Sequence, residues 1–502
     1  MNTQQLKCFV IGSGVAGMAT AVRLAVQGFE VSVFEKNDYP GGKLSAFKKD
    51  GYSFDAGPSL FTQPQNLEEL FEFASENIHE YISYKPLEIS CKYFFDDGVI
   101  INAYCDINKF AKELETKTGE PANNIKTYLT NAEKLYNTTG KIFLNYSLQK
   151  QNTLLKAPLA KALKTFNPKN IFSSLHQHNT KSFLKKHSVQ IFNRYATYNG
   201  SNPYKAPAML SVIPHAEHNE GVFYPSGGMI SITNALHKLT LKKGVKFYFN
   251  SAVESIILKE NTAKGIVVDG KNLMSDIVVS NADAYFTYKN FLHDDSKASQ
   301  ILKQERSSSA IIFYWGIDRL FPELELHNIF FSNNYPEEFA HIFHHKKLYT
   351  DPTVYINITS KCEPGLHAPA GKENWFVMVN APAQSGAVNT EEMIAVCKAN
   401  IINKLNSILK TDISKLIETE DVLHPNLIET KTASYMGSLY GTSSNSILAA
   451  FIRHPNFSKQ IKRLYFAGGS VHPGGGIPLC LKSAKIMCDI IAVDKQKWKQ
   501  HE

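Results

Sequence analysis

Lys7-Cys8-Phe9-Val10-Ile11 runs directly into Gly12-Ser13-Gly14-Val15-Ala16-Gly17, and this stretch decides the fold. Lys7 to Ile11 is a short apolar run with strand character. Beyond the glycines, Met18, Ala21, Val22, Leu24 and Ala25 recur at helical spacing. A second apolar run, Glu30 to Phe34, ends at Glu35, eighteen residues after Gly17. Strand, G-x-G-x-x-G, helix, strand and acid form the opening of a Rossmann-like dinucleotide-binding unit. Gly12 makes the tight turn, Gly14 lets a pyrophosphate approach the backbone, and Gly17 lets the helix pack on the strand. The phosphates then meet Val15 and Ala16 in the first helical turn, where free N–H groups and the helix dipole favour negative charge. Glu35, followed by Lys36, can accept hydrogen bonds from ribose hydroxyls.

Further along come Tyr39-Pro40-Gly41-Gly42-Lys43-Leu44 and Gly51-Tyr52-Ser53-Phe54-Asp55-Ala56-Gly57-Pro58-Ser59. Nicotinamide enzymes usually show no such glycine pair after the acid. The pattern resembles the flavin-dependent amine oxidase and carotenoid desaturase superfamily, with its acid-x5-Gly-Gly-Arg and later F-D-x-G-P. The resemblance implies FAD, with Gly42, Lys43 and Leu44 against the diphosphate and ribityl chain and Gly57, Pro58 and Ser59 nearby. Lys43 stands where the family has Arg, so a phosphate contact there is a point charge rather than a planar fork.

Near the other end, Leu464-Tyr465-Phe466-Ala467 reads as a strand. It enters Gly468-Gly469-Ser470-Val471-His472-Pro473-Gly474-Gly475-Gly476-Ile477-Pro478 and then an apolar helix. So many glycines cannot pack side chains, so the backbone itself must approach something closely. A helix starting there stabilises negative charge, which a reduced flavin carries near N1 and the C2 carbonyl. The stretch resembles the G-x-G-T-H-P-G-x-G-I-P signature of bacterial carotenoid desaturases. By that resemblance Gly469 and Ser470 meet the ribityl-phosphate region, and Gly476, Ile477 and Pro478 meet the isoalloxazine. It also implies that Val253 contacts adenine through its backbone and that Asn281-Ala282-Asp283 matches an N-A-D after a strand.

Other stretches resemble the same family: Tyr198-Asn199-Gly200-Ser201-Asn202-Pro203, Asn374-Trp375-Phe376, Asn380-Ala381-Pro382 and Phe451-Ile452-Arg453-His454-Pro455. Ser307 to Gly316 and His327 to Ser332 look most like the 1-hydroxycarotenoid 3,4-desaturases within the phytoene desaturase-type family. The fold expected is α/β. A discontinuous FAD domain comprises 1–75, 215–285 and 455–502. A mixed-sheet plus helical substrate domain comprises 76–214 and 286–454.

The resemblance implies removal of hydride and proton from a forty-carbon polyene, with flavin N5 as the hydride acceptor; the polyene itself delocalises the charge, so no strong protein base is demanded. His472 and Glu217 are the candidate bases. A structural hydrogen bond is the competing reading of His472, and an ordinary surface acid that of Glu217. Phytoene desaturation and carotenoid isomerisation are close alternatives. Amine oxidation and non-enzymatic binding of prenylated proteins are distant ones. No second G-x-G-x-x-G and no C-x-x-C occur, so electrons are expected to pass to an external acceptor, oxygen or a quinone.

The 502 residues, 43% hydrophobic and 20% charged, fit a packed protein of several domains. No run of roughly 18 apolar residues suggests a spanning helix, and the polar start from Asn2 to Gln5 predicts a cytoplasmic protein. The seven scattered cysteines indicate no disulfide framework, and no metal site is expected. The net charge of +8 is concentrated: the eighty-three residues 134–216 hold no Asp or Glu and twelve basic residues. Within them Thr153 to Lys164 mixes leucines with Lys156, Lys161 and Lys164 at helical spacing, and Phe183, Leu184, Val189, Ile191 and Phe192 add apolar surface. A basic amphipathic helix of this kind suits the inner face of a membrane, where a carotenoid is collected. A helix packed on its own core, lysines in water, is the competing reading. Nucleic acid is disfavoured, because 48 of the 54 basic residues are Lys.

Overall fold

The computed structural model describes residues 5–147, 149–150, 173–384, 390–446, 449 and 453–498. Thr153 to Lys164, the expected basic helix, and Phe451-Ile452 lie outside the described residues.

Two sheets organise the chain. In the first, β1 (Lys7–Ile11) lies between β2 (Glu30–Phe34) and β6 (Ile277–Ser280). The outer strands are β5 (Lys246–Tyr248) beside β2 and β12 (Leu464–Phe466) beside β6. All four pairings are parallel, and Cys8, Val10, Val33, Val279 and Phe466 are fully buried. Helices cover one face, where Leu24, Met487 and Ile491 pack on Val10 and Val33, and a three-stranded antiparallel sheet covers the other, where Ile256 and Ile266 pack on Ile11 and Phe34, so strands buried on both faces read as unbroken apolar runs. The order β5-β2-β1-β6-β12 reverses beside β1. Ligands of open α/β sheets bind in the crevice at such a switch point. Helix α1 (Val15–Val26) packs on α2 (Ile230–Lys242) and α3 (Ile477–Trp498), so distant parts of the chain close around one crevice.

The second sheet has seven strands in the order β11-β7-β10-β9-β8-β3-β4. These are β3 (Ile89–Phe94), β4 (Ile100–Tyr104), β7 (Ser309–Ile317), β8 (His327–Phe330), β9 (Val354–Asn357), β10 (Glu373–Ala381) and β11 (Ile417–Leu423). Only β8 and β3 pair in parallel. β7 and β10 pair along nine residues, with Trp315 opposite Trp375. Side chains alternate across the sheet. Phe313, Trp315, Val354, Ile356, Trp375 and Val377 pack with Cys397, Ile401 and Leu405 of the helix Thr390–Leu409. Their neighbours Ile312, Tyr314, Tyr355, Phe376 and Met378 face a cavity instead. The sheet is thus a core layer on one side and a ligand wall on the other.

Residues 173–216 correct one expectation. Phe183, Ile191 and Phe192 are buried against Phe110, Tyr128 and Leu129 of the substrate-side core, and Val189 packs on them. Leu184 alone of the five is well exposed, at 74%. Basic residues of the acid-free segment find acids elsewhere: Lys150 pairs with Asp494 and Lys186 with Asp97. Among the described residues, no helix is long and apolar enough to cross a membrane.

Candidate active site

A single cavity of about 1190 Å³ spans the two sheets. At one end its wall is backbone. Helix α1 begins after Gly14 with no side-chain cap and no acid in its first turn, so its leading N–H groups remain available to a ligand. Gly14 is bridged to Gly41, and Gly41 N–H donates to the Ser13 carbonyl at 2.9 Å. A Cβ on Gly14 would lie 2.8 Å from Asn281 Oδ1, and one on Gly17 would lie 2.2 Å from the Gly12 carbonyl. Asn281 also donates from Nδ2 to the Ala467 carbonyl at 2.7 Å. One amide therefore ties the first glycine turn to the last. Glu35 is buried and accepts from Ser13 N–H and Oγ, each at 2.8 Å, and from Asn37 N–H at 3.0 Å. It fixes the turn and keeps lone pairs for a ribose.

The cavity gathers nearly all of the cofactor contacts expected from sequence. Gly12, Gly14, Val15, Ala16, Glu35, Lys36, Gly42, Lys43, Leu44, Gly57, Pro58 and Ser59 line it. So do Val253, Asn281, Ala282, Gly469, Ser470, Gly476, Ile477 and Pro478. Gly17 does not; its place is the tight contact with Gly12. Lys43 has a further task. Its ammonium donates to the carbonyls of Leu439 (2.8 Å) and Ser438 (3.3 Å), and burial pulls its pKa down to about 8. Ser470 Oγ accepts from Ala284 N–H at 3.0 Å, which pins the glycine loop to the N-A-D turn. Asp283 of that turn is ion-paired with buried Arg306, which also donates to Ser438 Oγ at 2.7 Å. Sequence reading passed over Arg306.

Neither candidate base lies on the wall. His472 is fully buried, and its Nε2 donates to the Tyr146 carbonyl at 2.9 Å. Its ring meets the edge of Phe143, and burial lowers its pKa to about 4. This geometry is that of a neutral pin between the glycine loop and residues 143–146. Glu217 is no surface acid, being 1% exposed. It accepts from Ser90 Oγ (3.1 Å), Tyr195 Oη (3.1 Å), Tyr198 Oη and Arg194 Nη2 (3.4 Å). Burial opposes its charge, but the Arg194 guanidinium and neighbouring donors hold its pKa down to about 2. A carboxylate so strongly held is a poor proton acceptor.

The site's other end is mainly apolar, with Leu210, Ile213, Ile329, Phe376 and Met378 on the wall. Set into it is a polar group that sequence reading missed. Arg194 donates to Tyr93 Oη (2.7 Å) and Tyr198 Oη (3.0 Å), and lies 4.8–5.3 Å from the ring centroids of Tyr93, Tyr195 and Tyr198. Tyr355 Oη lies 2.7 Å from His327 Nδ1 and 2.8 Å from Ser59 Oγ. One signal was available: Arg194 is the one arginine in the acid-free segment, and Glu217 is the acid that ends it.

Comparison with known proteins identifies the class. The model of the flavin containing amine oxidoreductase family matches residues 15–492. The chain belongs to that family, and its cofactor is FAD; the uncapped helix start and glycine-lined wall fit such a group. Among individual relatives, the chain is 47% identical to a 1-hydroxycarotenoid 3,4-desaturase of Flavobacterium sp. (strain P99-3), covering 97% of this chain and 99% of that protein. It is 32% identical to a 4,4'-diaponeurosporene oxygenase of Staphylococcus aureus (strain MSSA476), covering 97% and 98%. Among solved structures, an oxidoreductase from Methanosarcina mazei aligns with a TM-score of 0.63 at 16% identity, covering 97% and 100%. Cyclohexylamine oxidase from Brevibacterium oxydans IH-35A aligns at 0.61 and 13%, covering 98% and 100%. These two establish likeness of fold.

Proposed function

We propose that the protein is an FAD-dependent carotenoid desaturase that introduces the 3,4 double bond of a 1-hydroxycarotenoid. The single observation carrying this is the continuity of the cavity, from a glycine-lined nucleotide end to an apolar end between two sheets. The name of the 47% identical relative supports the substrate class. An oily polyene needs a dry wall, which the cavity-facing residues of β7, β8, β9 and β10 provide.

In this reading the pyrophosphate lies on the N-terminus of α1, the ribose on Glu35 and adenine beside Val253. Gly42, Lys43 and Leu44 face the diphosphate and ribityl chain, and Gly57, Pro58 and Ser59 follow them. Gly469 and Ser470 meet the ribityl-phosphate region, and Gly476, Ile477 and Pro478 at the start of α3 meet the flavin ring. FAD, when bound, supplies a two-electron acceptor for hydrogen removed from the substrate. The chain's own residues hold the polyene along that acceptor and exclude water. Two hydrogens leave adjacent carbons, a double bond forms, and the electrons pass on to oxygen or a quinone. The positive charge developing in the substrate is spread along its conjugated chain, so neither His472 nor Glu217 is needed as a base. We read residues 1–75, 215–285 and 455–502 as the FAD domain and the rest as the substrate domain. Access to a bilayer substrate implies docking on the cytoplasmic face of a membrane.

Purified protein reconstituted with FAD and given carotenoids in liposomes tests this. The expected product of a 1-hydroxycarotenoid is two hydrogens lighter, with an absorption band moved to longer wavelength. Conversion of phytoene alone would overturn the subgroup assignment, and an oxygenated product would favour the activity named for the staphylococcal relatives.

A further inference from the structure

Six residues of the cavity wall belong to buried hydrogen-bonded groups: Ser59, Ser90, Arg194, Tyr198, His327 and Tyr355. They come from far-apart segments: β3, β8 and β9 lie side by side and bring in Ser90, His327 and Tyr355, while Ser59 comes from a loop and Arg194 and Tyr198 from the helical turn 194–199. A hydrocarbon chain has no use for such a patch. Burying an ionised pair such as Arg194 and Glu217 is also weak support for folding, since desolvation offsets the attraction.

The patch has unused hydrogen-bonding capacity. Asn357 Nδ2 donates to His327 Nδ1 at 3.2 Å, so in the neutral imidazole the proton sits on Nε2. Burial keeps that ring neutral, lowering its pKa to about 4. His327 is 2% exposed, and among the described residues its buried Nε2 has no hydrogen-bond partner. A buried donor left unpaired costs free energy, so this ring is retained for something other than folding. Ser59 Oγ has Tyr355 Oη as its partner and keeps capacity for another.

The position fits the substrate read above. In a 1-hydroxycarotenoid undergoing 3,4-desaturation, the carbon bearing the hydroxyl is two bonds from the nearer reacting carbon. Anything that grips the hydroxyl must therefore lie close to the flavin. Ser59 closes the Gly57-Pro58-Ser59 loop and reaches across to Tyr355 of β9.

We propose that the Ser59–Tyr355–His327 face, backed by Arg194, Tyr198 and Glu217, binds the substrate's tertiary hydroxyl and so sets both specificity and the register of the chain. The inference rests on the desaturase reading. A site built to hydrogen-bond a hydroxyl discriminates against an analogue lacking it, because its polar groups are then left unpaired.

The test uses the FAD-loaded protein and two carotenoids in phosphatidylcholine vesicles: a 1-hydroxylated acyclic carotenoid and the same chain with hydrogen at that carbon. Binding is read from quenching of flavin fluorescence and conversion from product chromatography. Wild-type protein is expected to prefer the hydroxylated chain about tenfold or more in affinity, the worth of one or two hydrogen bonds. Tyr355→Phe and Ser59→Ala, each removing one oxygen, should bring that ratio down towards unity. Tyr198→Phe serves as the second ring-retaining variant, and flavin content verifies folding in each. Equal affinity of the wild type for both chains overturns the proposal, as does an undiminished ratio in all three variants. A hydroxyl preference in binding without conversion of either chain overturns the desaturase reading and leaves the anchor standing.

Discussion

The two ends of the cavity are built by opposite means. The nucleotide end is made of backbone, with glycines, helix starts and carbonyls in contact, and side chains such as Asn281 serving as ties. The polyene end is made of side chains, an alternating apolar face with a buried ionic and phenolic cluster set into it. Backbone sites tolerate no added atoms. Side-chain sites tolerate changes of shape but not an unpaired charge. Substitutions should therefore fail for different reasons at the two ends.

The largest effect is expected at the polyene end. Arg194 and Glu217 are nearly inaccessible, with side chains 8% and 1% exposed. Arg194→Met leaves the carboxylate buried without its cation, which should cost about 3–5 kcal/mol in stability. The double variant Arg194→Met with Glu217→Leu should recover much of that loss, since it removes both charges. Urea unfolding of the single and double variants decides. A double variant as damaged as the sum of the singles would mean that the two residues do not act as a pair.

At the nucleotide end, Gly57→Ala is the corresponding experiment. Its Cβ would lie 1.8 Å from the Lys43 carbonyl, so the two loops on the cavity wall must part. Overpacking of this kind costs about 1–3 kcal/mol. The sharper readout is flavin occupancy, expected to fall more than stability does. Full occupancy with normal stability would show that the loops move freely and that their packing does not shape the site.

The same contrast explains what was legible in the sequence. Gly12 to Gly17 and Gly468 to Pro478 announce themselves because a backbone site demands glycine at fixed spacing, and spacing survives in one dimension. Alternation in β7 and β10 was hidden, because Phe313, Trp315, Ile312 and Tyr314 are apolar whichever face they serve. Glu217 read as a candidate base or an ordinary surface acid, and its part in a buried ionic cluster was hidden because its partners Arg194, Tyr198 and Ser90 are brought in by folding. His472 was drawn to chemistry by its place in the flavin signature, yet its hydrogen bond runs to Tyr146, a residue with no motif around it. Phe183, Ile191 and Phe192 looked like membrane surface because charge density marks a segment, whereas burial depends on what packs over it.

Acid should separate the two kinds of buried group. His218, His327, His454 and His472 all have pKa values lowered from 6.5 to about 4, with desolvation as the main cause. The unfolded chain binds these protons more readily, so stability is full above the unfolded value and declines as pH falls from 6.5 towards 4. Glu217 adds a second decline as pH falls from its unfolded value of 4.5 towards about 2. His472→Gln should flatten the upper window by one residue's share and leave the lower one unchanged. An unaltered slope between pH 6.5 and 4 would remove His472 from the account.

The smallest effect on folding is expected where the basic segment reaches the surface. Lys186 and Asp97 form an exposed pair, at 77% and 38% side-chain exposure, and such pairs contribute about 0–1 kcal/mol. Leu184, two residues away and 74% exposed, contributes little packing. Leu184→Ser with Lys186→Ala should therefore leave the unfolding midpoint nearly unchanged. If the polyene end opens towards a bilayer through this part of the molecule, the same double variant should bind anionic vesicles more weakly than wild type, and the deficit should shrink as salt is raised. A variant that floats with vesicles as well as wild type at low salt would confine membrane docking to other surfaces.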